Sequence, residues 1–299
     1  MMKKINDIIG DAKTIGIAGH VRPDGDCMGS CMSLYNYLKK NRPDLDVRVF
    51  LEFVDKKFNI IENTDQIITT GYDGTKFDLF ISLDTASLDR LGLNLPFYEN
   101  AKRTACIDHH ASNDGYADYN YILPKASSAS EVLYDLLDED LIDKSIAEPM
   151  YMGIAHDSGV FRFQSTTPKT MRIAANMIEK GVNVNMILEE TFFRKTYNQM
   201  MVTAKIQSEA VLALDGKCIY GYCTSEMMEE YGVTTKDLDA VVASIRNVDG
   251  VEVAMFLYQL SENSYKVSLR SKNYVDVSKI AVENGGGGHE QRYTVNLTI

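Results

Sequence analysis

The strongest constraint on the fold is a threefold recurrence in which a short apolar run stops at a cluster of acids and imidazoles. Thr14-Ile-Gly-Ile-Ala18 leads to His20-Val-Arg-Pro-Asp24-Gly-Asp26, Phe77-Asp-Leu-Phe-Ile-Ser-Leu83 to Asp84, and Arg103-Thr-Ala-Cys-Ile107 to Asp108-His109-His110. Runs of this length, bounded by polar turns and alternating with helical patterns, read as buried parallel strands. Open sheets of that kind hold ligands at the carboxyl ends of their strands. Three such ends would deliver imidazoles and carboxylates to one edge. The expected fold class is therefore α/β: an N-terminal, mostly parallel sheet flanked by helices, followed by a smaller α+β domain.

At 299 residues the chain exceeds the roughly 250 at which single cores stop growing, which predicts two domains. Met28, Cys31, Met32, Tyr35 and Leu38 fall at helical spacing, and Asn41-Arg-Pro43 ends that pattern. Ser128-Ala-Ser-Glu131 has capping-box spacing, and a helix should run from Pro168 to near Gly181. The stretch 184–207 carries no punctuation and reads as one helix linking a first domain, 1–183, to a second, 208–299. Within the second, Asp215-Gly216 sits between two strand-like runs and signals a hairpin.

A net charge of −11 excludes a wide phosphate-tracking surface, so long duplex nucleic acid is not an expected partner. No apolar stretch approaches the ~20 residues of a membrane helix, and the opening Met1–Ile9 lacks the apolar core of a secretory signal. The five cysteines, Cys27, Cys31, Cys106, Cys218 and Cys223, are odd in number and lack zinc-ribbon spacing. They read as reduced thiols of a cytoplasmic protein, monomer or homodimer, with Cys27 and Cys31 filling core rather than acting as ligands.

Six residues are the candidates for chemistry: His20, Asp24, Asp26, Asp84, His109 and Asp157, the last in Gly153-Ile-Ala-His-Asp-Ser-Gly159. His156 beside it reads as structural, because neighbouring side chains on one element diverge. Mixed oxygen and imidazole donors suit Mn²⁺, with Mg²⁺, Co²⁺ or Fe²⁺ as competitors, and a set without thiolates argues against structural zinc. Four aspartates offset the charge of two divalent ions. Two ions about 3.5–4 Å apart can share one water, lower its pKa and stabilise both attacking and leaving oxygens. That is the chemistry of phosphoester hydrolysis.

His20-x-x-x-Asp24-Gly-Asp26-x-x-Gly29-Ser30, the lone Asp84, Asp108-His109-His110 and Asp157-Ser-Gly159 together resemble, in order, the motifs of DHH-superfamily phosphoesterases. Arg270-Ser271 and Gly285-Gly-Gly-Gly-His289 resemble the C-terminal DHH-associated domain. The resemblance covers nearly the whole chain and is strongest to the bifunctional oligoribonuclease/pAp phosphatase group. It implies one Mn²⁺ on His20 and Asp24, another on Asp26, His109 and Asp157, and Asp84 bridging both, with Mg²⁺ or Co²⁺ as substitutes. It further implies that Asp108 orients an imidazole and that His110 contacts the scissile phosphate and assists the leaving oxygen. Arg270, Gly286, Gly287, Gly288 and His289 would hold the substrate's terminal phosphate or nucleotide.

The implied activity is hydrolysis of very short oligoribonucleotides to mononucleotides, and removal of the 3′-phosphate from pAp, by in-line attack of a hydroxide bridging two Mn²⁺ ions. After His289 the sequence runs Glu290-Gln291-Arg292-Tyr293, where the family has small residues and a further glycine. That departure predicts retained metal binding with altered substrate affinity or range. The rival readings are a phosphodiesterase for cyclic di-AMP or pApA, and a nucleotide-binding regulator with impaired turnover.

Overall fold

A computed structural model describes residues 4–238, 241–262, 264–284, 287–289 and 292–298, with Ser278, Ala281 and those from 287 onward described by backbone alone. The chain divides into two compact units, Met1–Arg194 and Lys195–Ile299. The first contains, in order, α1 (Ile5–Ile9), β1 (Thr14–Ala18), α2 (Gly25–Asn41), β2 (Asp46–Phe50), β3 (Leu79–Leu83), α3 (Leu95–Glu99), β4 (Thr104–Asp108), β5 (Tyr119–Ile122), α4 (Ala129–Leu136), α5 (Lys144–Asp157), α6 (Pro168–Glu179) and α7 (Val184–Leu188). Its five strands are all parallel, in the order β2-β1-β3-β4-β5. The three strands expected from the sequence are thus neighbours in the middle of the sheet.

Alternation along these strands loads both faces. Ile15, Ile17, Ile81 and Ile107 join a core with Met28, Leu34, Val132, Ile146 and Ile173 of α2, α4, α5 and α6. Ala18, Phe50 and Phe80 point the other way, into an aromatic cluster with Phe77, Phe97 and Tyr98. Helix α2 is buried along Gly25–Leu38 and lies close against α5, because a Cβ on Gly29 would stand 2.5 Å from the Pro149 carbonyl. Pro149 inside α5 cannot donate to the Ser145 carbonyl, which instead accepts from Asn36 Nδ2 at 2.8 Å.

Two local expectations are revised. Ser128 caps α4 by accepting the Glu131 amide at 3.0 Å, but the Glu131 carboxylate does not return to Ser128. It accepts from the Ser127 amide and hydroxyl and from Thr170 Oγ1, tying α4 to α6. The single helix expected over 184–207 is interrupted: α7 runs into a π turn at Glu189–Phe193, and a new helix, α8 (Tyr197–Glu209), follows extended backbone at Thr196. Thr196 and Gln199 form a reciprocal capping box that starts α8, a signal more specific than the apolar spacing running through it.

The second unit continues with β6 (Val211–Ala213), β7 (Cys218–Cys223), α9 (Ser225–Tyr231), α10 (Val241–Arg246), β8 (Val253–Ser261), β9 (Ser264–Ser271), α11 (Val277–Glu283), β10 (Gly287–His289) and β11 (Arg292–Thr298). Its sheet runs β10-β11-β9-β8-β7-β6, antiparallel except between β7 and β8. The β6–β7 hairpin turns at Asp215 and Gly216 as expected, but Leu214 also has a positive φ, so the loop spans four residues between paired Ala213 and Cys218. No helix among the described residues is long and apolar enough to cross a membrane.

Buried Glu252 anchors the segment entering α11: one carboxylate oxygen accepts the backbone amides of Asn273, Tyr274 and Val275 at 2.7–3.0 Å. Burial raises its pKa, but these donors outweigh burial and hold it below the ordinary 4.5. A depressed pKa contributes stability that is complete above the unfolded value and lost as pH falls through the folded one. Glu252→Gln should therefore cost about 1.5–3 kcal/mol at neutral pH, the worth of hydrogen bonds to a charged group. Thermal melts should show that deficit constant from neutral pH down to about 5 and shrinking below 4.5; a deficit that widens on acidification contradicts the assignment.

Candidate metal centre

Adjacent β1, β3 and β4 end side by side, and their carboxyl ends bring His20, Asp84 and His109 together. His20 Nδ1 lies 2.8 Å from the Val21 carbonyl. A carbonyl only accepts, so the proton sits on Nδ1 and Nε2 faces the acids. That Nε2 is 3.4 Å from Asp84 Oδ2 and 3.8 Å from Asp24 Oδ1. His109 repeats the scheme, with Nδ1 3.4 Å from the Ala126 carbonyl. Its Nε2 lies 3.2 Å from Asp157 Oδ2, 3.5 Å from Asp84 Oδ1 and 3.9 Å from Asp26 Oδ2. Asp84 therefore offers one oxygen to each histidine.

Each acid is held from behind by the fold. Asp24 is the N-cap of α2, accepting the amides of Asp26 and Cys27 through Oδ1. Asp26, 1% exposed, accepts the amides of Ala129 at 2.6 Å and Ser130 at 3.0 Å from the start of α4. Gly25 admits the ring of His156, whose Cγ would lie 2.1 Å from a Cβ there. His156 itself is structural as expected: Nε2 is 2.9 Å from Thr191 Oγ1, and burial pushes its pKa down to about 4. Asp84 continues the β3–β4 ladder through its amide yet has φ +51°, a conformation aspartate tolerates better than most residues.

Asp157 comes from a different source, the last residue of α5 rather than a strand end. Gly159, Val160 and Phe161 follow with three successive positive φ angles. Holding a β-branched residue there costs on the order of 1–3 kcal/mol, strain of the kind that collects at functional sites.

Carboxylates outnumber imidazoles in the cluster. Burial, then Asp84 and Asp157, push the Asp26 carboxyl well up. Burial lowers His20 and His109, but the neighbouring Cys27 thiol and the acids at His20, and Asp84, Asp157 and Asp26 at His109, outweigh it and raise both rings well above their ordinary value. Asp84 is raised by burial and lowered further by the two histidines. Four acids around two imidazoles must otherwise take up protons, whereas two divalent cations would satisfy them. Oxygen and imidazole donors on both sides of Asp84 fit such a pair. The donor atoms of Asp26, His109 and Asp157 lie within 4.8 Å of one another, as do those of His20, Cys27 and Asp84.

His110, next along the chain, is held differently. Its Nδ1 lies 2.8 Å from Asp108 Oδ1, while Asn113 Nδ2 donates to Asp108 Oδ2 at 2.7 Å and to the Thr85 carbonyl at 3.1 Å. Burial raises the Asp108 pKa, but His110 and Asn113 outweigh it and keep the acid ionised. Asn113 was missed in the sequence. Asn113-Asp114-Gly115 is a turn signature, and the Gly115 amide does donate to Asn113 Oδ1 at 2.9 Å.

In the second unit the backbone pairs His289 with Arg292 and Arg292 with Arg270, so the two anticipated basic residues share one rung with a third. Gly287 and Gly288 lie on β10. Gly286, Glu290 and Gln291 lie outside the described residues.

Residues 14–154 match the DHH family, N-terminal domain, and residues 215–294 match the DHHA1 domain. The bifunctional oligoribonuclease and PAP phosphatase NrnA of Thermus thermophilus is 32% identical over 285 residues, which are 92% of this chain and 81% of that protein. The protein of the same name in Bacillus subtilis is 27% identical over 281 residues, 92% of this chain and 87% of its own. Among solved structures, an exopolyphosphatase-related protein from Bacteroides fragilis superposes with a TM-score of 0.88 over 97% of this chain and 89% of its own. At 23% identity that likeness concerns the fold.

Proposed function

The chain belongs to the DHH family, and from that premise we propose that it is a metal-dependent phosphoesterase that cleaves very short oligoribonucleotides and removes the 3′-phosphate of pAp. The observation that carries this reading is Asp84, whose two oxygens face two separate histidines, one backed by Asp24 and the other by Asp26 and Asp157. His20 and Asp24 would hold one Mn²⁺, Asp26, His109 and Asp157 the other, and Asp84 both, with Mg²⁺ or Co²⁺ as substitutes. Two such ions lower the pKa of water towards neutrality and neutralise charge on the phosphate oxygens. The names of the relatives supply the substrate class, and the acidic charge balance fits a substrate too short to need a long basic track.

The protein's own groups do the rest. Asp108 fixes His110 with its proton on Nδ1, so Nε2 serves the scissile phosphate and its leaving oxygen. Asn113 keeps the Asp108 carboxylate in place. Arg270, with Arg292 and His289 in the same rung and Gly286, Gly287 and Gly288 alongside in sequence, would hold the terminal phosphate. Asp108→Asn should leave metal stoichiometry unchanged and lower kcat about 10–100-fold, the usual cost of losing a group that orients a reactive imidazole. Metal analysis beside steady-state kinetics checks this, and an unchanged kcat removes Asp108 from the scheme.

The activity is tested with metal-stripped protein, a labelled RNA dimer and pAp, with and without Mn²⁺. Turnover of both substrates only when Mn²⁺ is added is expected. Faster initial rates on cyclic di-AMP or pApA would move the assignment to a cyclic-dinucleotide phosphodiesterase. Nucleotide-dependent thermal stabilisation without product at any Mn²⁺ concentration would make the protein a regulator instead.

A further inference from the structure

Cys27 lies in the first turn of α2, directly after Asp26, and helical spacing alone explains it as core. Its position is more particular. The thiol, a ring nitrogen of His20 and a carboxylate oxygen of Asp84 all lie within 4.8 Å of one another. All three residues are buried, at 0%, 7% and 3% exposure. The chain makes room for this sulfur where His20 leaves the sheet: a Cβ on Gly19 would stand 2.2 Å from Cys27 Sγ. The same Cβ would stand 3.2 Å from the thiol of Cys31, one turn later, but among the described residues that thiol joins no such group. The other side of Asp84, with Asp26, His109 and Asp157, offers only nitrogen and oxygen.

The geometry points to Cys27 as a sulfur ligand of the cation held by His20 and Asp84, which makes the two halves of the centre chemically unequal. This rests on the two-cation centre proposed above. The His20 half becomes an N,O,S site for a thiophilic divalent ion of the Zn²⁺ or Co²⁺ class, while the His109 half keeps hard donors suited to Mn²⁺ or Mg²⁺. Donors about 2.0–2.3 Å from one ion sit roughly 3.3–3.8 Å apart, so closure from the present spacing needs only a small side-chain shift. On binding, the S–H bond breaks, a sulfur–metal bond forms and the proton passes to solvent, with no change of oxidation state. The thiolate adds negative charge to the half that has fewer buried aspartates.

The test is an anaerobic Co²⁺ titration of the metal-free protein, read by absorption. Two bound ions and a near-ultraviolet thiolate-to-cobalt charge-transfer band are expected in the wild type and in Cys31→Ser, with the band lost in Cys27→Ser. Zn²⁺ affinity, from chelator competition, should fall about tenfold or more in Cys27→Ser, as for other losses at metal sites, while Mn²⁺ affinity changes little. Two bound Co²⁺ ions without the band, or a band that survives Cys27→Ser, overturn the ligand and leave the two-cation centre standing. Failure to bind Co²⁺ at all overturns both. If Cys27→Ser does not fold, zinc-edge X-ray absorption of the unaltered protein decides: a sulfur shell at about 2.3 Å supports the ligand, and a shell of nitrogen and oxygen alone overturns it.

Discussion

Asp84→Ala should abolish turnover more completely than any other single replacement in the centre. Asp24 faces His20, and Asp26 and Asp157 face His109, whereas Asp84 faces both, at 3.4 and 3.5 Å, from a position 3% exposed, and also lies 3.7 Å from His110 Nδ1. Removing it leaves two imidazoles without the acid between them and separates the two halves of the site. A fall in kcat of at least about 100-fold, ~2.7 kcal/mol of activation free energy, is expected together with loss of one or both bound ions. Steady-state kinetics and metal analysis on the same preparation check it. More than a tenth of the wild-type kcat with two ions still bound would show that Asp84 does not serve both.

The second large effect is predicted at a residue without a side chain. Gly153 lies inside α5, where helix propensity alone favours alanine by about 1 kcal/mol. Packing reverses that sign: a Cβ there would stand 2.0 Å from Ser130 Oγ and 2.7 Å from Asp26 Oδ1. Ser130 is fully buried, and the Asp26 carboxylate is fixed by the amides of Ala129 and Ser130. Gly153→Ala should lose about 1–3 kcal/mol through overpacking, and it should release Asp26 from the start of α4, emptying the His109 half of the centre. Thermal denaturation and Mn²⁺ titration measure the two consequences. A variant as stable as the wild type that binds two ions would mean that α5 and α4 part more easily than their packing indicates.

Much of the centre was legible because the sheet works on short, local patterns. Apolar runs that stop at acids identified β1, β3 and β4, and their adjacency brought His20, Asp84 and His109 together. That Asp84 bridges came only from the resemblance; which of its oxygens faces which histidine depends on the positive φ at Asp84 and on strand register, which no local pattern encodes. Strand β5 was missed for a related reason: Tyr119-Asn-Tyr-Ile122 lies at the sheet edge, is only partly buried and has no apolar run. Cys27 illustrates the limit of periodicity, since the same helical position reads as core whether its sulfur meets methylenes or an imidazole. Arg194–Thr196 shows the opposite case, in which the Thr196/Gln199 capping signal marks a helix start that continuous apolar spacing hides.

Carboxylates and imidazoles from three strand ends, the start of α2 and the end of α5 would grip a pair of divalent cations around Asp84. Anomalous scattering from crystals grown with Mn²⁺ tests it most directly. Two peaks about 3.5–4 Å apart are expected, one beside His20 Nε2 and one beside His109 Nε2, with an Asp84 oxygen on each. A single peak away from Asp84, or none under conditions that support turnover, would contradict it.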